Sequence, residues 1–193
     1  MTIEIKPLSP EMAETFTSYV GNMDFRHAPH WQFCNCQYYH VKCTSEEWRA
    51  RSAEQNQQLA HKNIPNGVMK GFMAFDGDKP VGWINANDWH NYALLEDDEE
   101  LLHFEGKTGL VVCFLIHPDY RNQGLAKSLL KTAVDNFRDL GFDWTYISGA
   151  NMITSAASGL IKSATAATAT EPATVELSSG NFMFNVINGP TTF

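Results

Sequence analysis

The sequence predicts an α/β domain in which a mixed central sheet is flanked by helices. Three observations carry this reading. Strand-like alternation and helical periodicity interleave along the first three quarters of the chain. The continuous apolar run GLVVCFLI at 109–116 has the pattern of a strand buried on both faces. A strongly periodic helical stretch, LAKSLLKTAVDNFRDLG, follows it after a short polar loop. At 193 residues, 44% of them hydrophobic, the chain has enough apolar material for one well-formed core and a small appendage.

The elements follow in order. TIEIKPL alternates apolar and polar residues and predicts a first strand. Ser9 and Pro10 open a helix as cap and first helical residue, with Met12, Phe16, Tyr19 and Val20 on one face and Gly21-Asn22 as its stop. Residues 23–44 are rich in aromatic side chains, His and Cys and match neither period. A second helix is predicted from Thr44 or Ser45 across SEEWRARSAEQNQQLAHKN, with Thr44 and Glu47 as a capping box. GVMKGFMAFD and PVGWINAND read as a hairpin turned by Gly77-Asp78-Lys79-Pro80. The acidic stretch LLEDDEELLHFEG is a short helix or a long connection. After the buried strand and its helix, which Gly141 ends, FDWTYIS is a further strand.

Charge and composition exclude several roles. Lys and Arg number 14 against 22 Asp and Glu, a formal net charge of −8, so the basic footprint that drives phosphate-backbone binding is missing and nucleic acid is not an expected partner. No apolar run approaches the roughly 20 residues that span a bilayer, and the N-terminus has no signal-peptide apolar region. The 4 cysteines do not form a disulfide framework for a chain of this size. A cytoplasmic setting is expected, and a homodimer is left open.

The chemistry concentrates at 110–140, where strand, loop and helix follow one another. The first turn of a helix offers unpaired N–H groups and the positive end of the helix dipole. Gly124 lets a backbone approach an anion, and Ala126 leaves room for a diphosphate. The stretch VVCFLIHPDYRNQGLAKSLL resembles the coenzyme A segment of the GNAT superfamily of acetyl-CoA-dependent N-acetyltransferases. Its R/Q-x-x-G-x-G/A signature is met by Arg121, Gly124 and Ala126, with Ile116 and Pro118 ahead of them. The element order over about residues 1–146 is similar to that family as well.

The resemblance implies a GNAT-like mixed sheet and transfer of an acetyl group from acetyl-CoA to a primary amine of a small molecule or peptide. Backbone groups of Phe114, Leu115 and Ile116 would pair with the pantetheine arm, and Asn122, Gln123, Gly124, Leu125, Ala126 and Lys127 would cradle the pyrophosphate beside Arg121. Asn85, Asn87 and Asp88 fall where acceptor grooves of the family are often lined, and Asp88 with His90 is the expected proton-accepting pair.

Three further features are weighed against plainer roles. His27, His30, Cys34, Cys36, His40 and Cys43 include metal-ligand types, but C-x-C is no zinc knuckle, and buried thiols with groove-lining histidines are the expectation; no metal is assigned. Cys113 is expected to be a small buried hydrophobe rather than an acyl-accepting nucleophile. The acidic run at 96–100 is expected to be a solvated face.

The end of the chain departs from the family. From 147 to 193 only Lys162, Glu171 and Glu176 are charged, Ala, Ser and Thr crowd the segment, and no Tyr follows Tyr146 to protonate a departing thiolate. Two origins fit: a divergent ending, or a reading-frame change that replaced the usual one. Residues 1–148 are therefore read as the acetyltransferase core and 149–193 as an atypical, loosely attached segment. The alternative function is a weak or inactive acyl-CoA-binding module that lost its acceptor wall.

Overall fold

The computed structural model describes residues 2–26, 29–102, 106–147, 161–164 and 175–177. Strands β1 (Ile3–Pro7), β2 (Gly71–Asp76), β3 (Lys79–Asp88), β4 (Thr108–Ile116) and β5 (Trp144–Ile147) form one sheet in that spatial order. All neighbours are antiparallel except β4 and β5, which run parallel. Helices α1 (Ala13–Gly21), α2 (Ser45–Ala50) and α3 (Ala53–Asn63) lie between β1 and β2 in the chain. The short α4 (Glu99–Leu102) precedes β4, and α5 (Leu125–Asp139) connects β4 to β5.

Two cores sandwich the sheet. On one face Leu125, Ala126, Leu129, Leu130, Ala133 and Phe137 of α5 cover Ala74, Ile84, Val111 and Phe114. The predicted stripe of α5 is thus the buried one, with Val134 half-buried at its rim. On the other face Phe16, Tyr19 and Val20 of α1 and Ala60 of α3 meet Met73, Trp83, Leu110 and Leu115, and Phe16 sets its ring edge-on to Trp83 at 4.9 Å. Alternate residues of β2 serve opposite cores, as a period of two requires. Every residue of β4 is buried, which is why its sequence shows no alternation.

One bulge shapes the centre of the sheet. Asn85 pairs with Cys113 but Ala86 pairs with Val111, so Val112 is an extra residue on β4. Val112 and Cys113 therefore point into the same core although they are consecutive. Among the described residues, β5 pairs with β4 from Thr108 to Val111.

The structure revises the sequence reading at several elements. The helix predicted from 44 to 63 is two helices, because Ser52 builds a second capping box with Gln55 and Arg51 is extended at ψ 144. The first helix opens as a 3-10 turn, Pro10–Met12, and Ser9 makes no side-chain cap bond. The hairpin turn is shorter than expected: Lys79 and Pro80 belong to β3, and the bulge opposite Ala74 and Phe75 accommodates the proline. Residues 23–44 contain 3-10 turns at Pro29–Trp31 and Tyr38–His40, and the acidic connection holds both a 3-10 turn, Ala93–Leu95, and α4.

Two short strands occur in the tail, β6 (Ile161–Ala164) and β7 (Val175–Leu177), which pair antiparallel in a sheet of their own. The expected loose attachment of residues beyond Ser148 otherwise falls outside the described residues. Among the described residues, no helix is long and apolar enough to cross a membrane.

Candidate functional site

The loop leaving β4 is braced from below. His117 caps a 3-10 turn, Pro118–Tyr120, and its Nδ1 accepts from the Asp119 N–H at 3.3 Å. The Tyr120 hydroxyl donates to Asp76 Oδ2 at 2.9 Å, and Lys79 Nζ stands 5.3 Å from the centre of its ring. These contacts tie the loop to the end of the β2–β3 hairpin.

Beyond Tyr120 the backbone turns sharply into α5. Asn122 adopts φ +60 and Gly124 φ +80, both left-handed. Gly124 is the residue before the first helical turn and supplies no side-chain cap, and the first turn carries no acidic residue. Among the described residues, no protein acceptor is recorded for the backbone N–H groups of 122–127. A Cβ built on Gly124 would meet nothing within 4 Å, so the space above the turn is open. Arg121 donates from Nε to the Ile116 carbonyl at 3.1 Å, while its Nη2 is buried without any partner. Arg121, free helix N–H groups and the positive end of a 15-residue helix border one small depression. That arrangement suits an anion with several oxygens.

The residues expected at this site divide in two. Ile116, Arg121, Asn122, Gly124, Leu125 and Ala126 line the depression together with Tyr120. Gln123 lies at the surface with its amide on the Asp119 carbonyl at 2.7 Å, and Lys127 is half-buried in the first helical turn. Phe114 and Leu115 lie back along β4. Leu115's carbonyl already accepts from the Tyr19 hydroxyl at 2.9 Å, and Ile116's from Arg121. Two of the three expected strand carbonyls are thus engaged inside the protein.

Asp88 and His90 meet at the far end of β3. His90 Nδ1 is 2.7 Å from Asp88 Oδ1, which also accepts the His90 backbone N–H at 3.1 Å. A carboxylate can only accept, so Nδ1 carries the proton of this contact, and the ring is exposed. Asp88 pairs with Gly109 and the depression begins at Ile116, which pairs with Gly82, so the two groups are about 20 Å apart at roughly 3.3 Å per residue of β3. They occupy opposite ends of β4.

Asn85 and Asn87 do not line a groove. Asn85 is fully buried, and Asn87 donates to the Val68 carbonyl at 2.9 Å. Instead Asn85 belongs to a polar network that the sequence reading missed. His40 Nδ1 donates to the Asn91 carbonyl at 3.1 Å, its Nε2 faces Asn85 Nδ2 at 3.2 Å, and the Tyr92 hydroxyl shares its proton between Asn85 Oδ1 and the Leu110 carbonyl. Burial pushes the His40 imidazole down to about 4, so it is neutral. This network anchors the Trp89–Asn91 turn that carries His90. Two asparagines inside the apolar run VGWINAND were the available signal.

The thiol-rich segment is mostly interior. Cys34 and Cys36 are buried and Cys43 is half-buried, while His27 and the side chain of His30 fall outside the described residues. Burial holds the Cys34 thiol up at about 12. Among the described residues, no three His, Cys, Asp or Glu side chains converge as a metal would require. In the acidic run, Glu96 and Asp97 both bind Lys42 Nζ, at 2.9 and 2.8 Å, and remain exposed.

A mixed sheet with one core on each face, whose central strand leads through a left-handed glycine turn into a long helix, defines the class of fold. A family profile described as the acetyltransferase (GNAT) family matches residues 33–152. The chain belongs to that family. Among solved structures, an aminoglycoside N-acetyltransferase AAC(6')-Iy in complex with CoA is similar at TM-score 0.50 and 12% identity, over 79% of this chain and 80% of that one. A GCN5-related N-acetyltransferase from Ralstonia eutropha JMP134 gives TM-score 0.49 and 15% identity over 80% and 88%. A ribosomal-protein-alanine N-acetyltransferase from Brucella melitensis biovar Abortus 2308 gives 0.48 and 14% over 76% and 80%. No curated protein sequence matches the chain.

Proposed function

We propose that the chain transfers the acetyl group of acetyl-CoA to a primary amine of a small molecule or peptide. The observation that carries this reading is the buried, unpartnered Nη2 of Arg121 beside the open first turn of α5. A buried cationic donor with no acceptor costs stability unless a ligand supplies one, and a diphosphate fits both the charge and the space over Gly124. In this reading Arg121, Asn122, Gln123, Gly124, Leu125, Ala126 and Lys127 hold the pyrophosphate. The pantetheine arm runs along β4 beside Phe114, Leu115 and Ile116, using backbone groups other than the two engaged carbonyls. Asp88 orients His90, whose Nε2 takes a proton from the incoming ammonium so that its nitrogen can attack.

The same reading assigns residues 1–148 to the transferase core and the protein to the cytoplasm, in keeping with its four free cysteines. Small polyamines and aminoglycosides head the acceptors to be tried, since one protein of this fold is named for aminoglycoside acetylation.

One observation favours a second reading. Among the described residues the main sheet ends at the four-residue β5, and β6 with β7 forms a separate ladder. A module that binds acyl-CoA without an acceptor wall would look like this.

A two-stage assay tests both. Acetyl-CoA at about 1 mM should raise the melting temperature by several degrees through mass action on the native state, and an amine panel should then release free thiol. Failure of any coenzyme A thioester to shift the transition would overturn the family chemistry for this chain. A shift without thiol release from any amine would favour the binding module.

A further inference from the structure

Two thiols from distant parts of the chain meet beside the bulge of β4. Cys36 Sγ and Cys113 Sγ are 3.4 Å apart although 77 residues separate them. Both sides of this contact are aimed by unusual backbone. Asn35 and Cys36 adopt φ +46 and +54, a left-handed conformation that residues with a Cβ rarely take. The turn is held in place by Asn35 Nδ2 on the Ala53 carbonyl at 3.3 Å, by Gln37 Nε2 on the Asn35 carbonyl at 3.1 Å, and by Asn63 Nδ2 on Gln37 Oε1 at 2.9 Å. On the strand side, Cys113 pairs with Asn85 at the edge of the bulge and lies in the same core as Cys36.

We propose that Cys36 and Cys113 are a modification site: a dithiol that a hydroperoxide converts to a disulfide, tying the 34–37 turn to the central strand. The thiolate of Cys36 attacks one peroxide oxygen and breaks the O–O bond, giving a sulfenic acid and, after proton uptake, water. The Cys113 sulfur then attacks the Cys36 sulfur, and the sulfenic oxygen leaves as a second water. Two thiols and one hydrogen peroxide become one disulfide and two waters, each sulfur losing one electron. The buried Trp83 indole N–H has no acceptor in the resting structure and favours the charged form of Cys36. The hydrogen bond shared with Cys113, and burial, hold the Cys36 thiol well above its usual range. Oxidation is therefore slow. With Cys36 9% and Cys113 7% exposed, a small peroxide is the oxidant that fits.

The folded full-length chain, incubated for hours with a modest excess of hydrogen peroxide and then alkylated, should yield a non-reduced tryptic map in which peptide 108–121 is linked to peptide 27–42. Fragmentation of that product should place the bridge on Cys36, and reductant should release it. The link should persist in Cys34→Ser and vanish in Cys36→Ser. Peptide 108–121 recovered unlinked, or linked through Cys34 or Cys43, would overturn the proposal. The wild-type fragmentation decides the matter even if a serine variant does not fold.

Discussion

Gly124→Glu separates the two roles assigned to the turn before α5. The residue sits at φ +80, so any side chain there costs about 1 kcal/mol of backbone strain. Its Cβ direction is open, with nothing within 4 Å, so no steric cost adds to this. The melting temperature should fall by about 2–4 °C and the fold should survive. Binding responds differently. A carboxylate about 5 Å from a diphosphate of about two negative charges, at an effective dielectric of about 40, adds about 3 kcal/mol of repulsion, or about two hundredfold in affinity. Gly124→Ala carries the same strain without charge and should keep its affinity within about threefold. Gly124→Lys carries the strain with the opposite sign and should bind at least as well as wild type. Calorimetric titration of coenzyme A into all three proteins provides the comparison. Equal losses in the Glu and Lys variants, or a Glu variant that binds normally, would refute the placement of the phosphates at this turn.

Three other outcomes follow from described contacts. Arg121→Lys should weaken coenzyme A binding by about tenfold in the same titration, because an ammonium cannot hold the Ile116 carbonyl and face the depression at once. His40 contributes a pH dependence of defined sign: its folded value of about 4 lies below its ordinary 6.5, so the unfolded chain binds the extra proton, and stability is full above pH 6.5 and declines towards pH 4 by about 1.4 kcal/mol per unit. Urea unfolding at pH 7 and 5 should show that slope, and His40→Gln should flatten it; parallel curves for the two proteins would exclude the mechanism. Gly109→Ala drives a Cβ to 2.6 Å from the Phe137 ring and should destabilise the α5 face by about 1–3 kcal/mol in thermal unfolding.

The sequence made visible whatever local pattern alone determines. The apolar faces of α1 and α5, the uninterrupted β4 and the hairpin were readable because burial on one or two faces imposes a period. So was the turn at Gly124, because a left-handed backbone before a helix favours glycine. The break at Arg51 was readable in principle, since Ser52 and Gln55 repeat the pattern of Thr44 and Glu47. The interior of 23–44 was not. Its order comes from long-range partners such as Asn63 for Gln37 and Asn85 for His40, which no window of neighbouring residues contains. The placement of Asn85 and Asn87 went astray for the same reason: an asparagine in a strand looks like a groove residue until its buried acceptor is seen.

Val112 is, in effect, a spare residue. Remove it, and Val111, Cys113, Phe114 and Leu115 would alternate between the two cores in the order they already occupy. Neither hydrophobic layer needs this position for its inside-outside pattern. The extra residue therefore serves the local register of the strand, where two residues of β4 face one of β3. A chain lacking Val112 would keep its layers and its glycine turn while giving β3 and β4 an unbroken register. The protein thus carries a length setting for its central strand that can be changed by one codon, independently of the residues that hold the fold together.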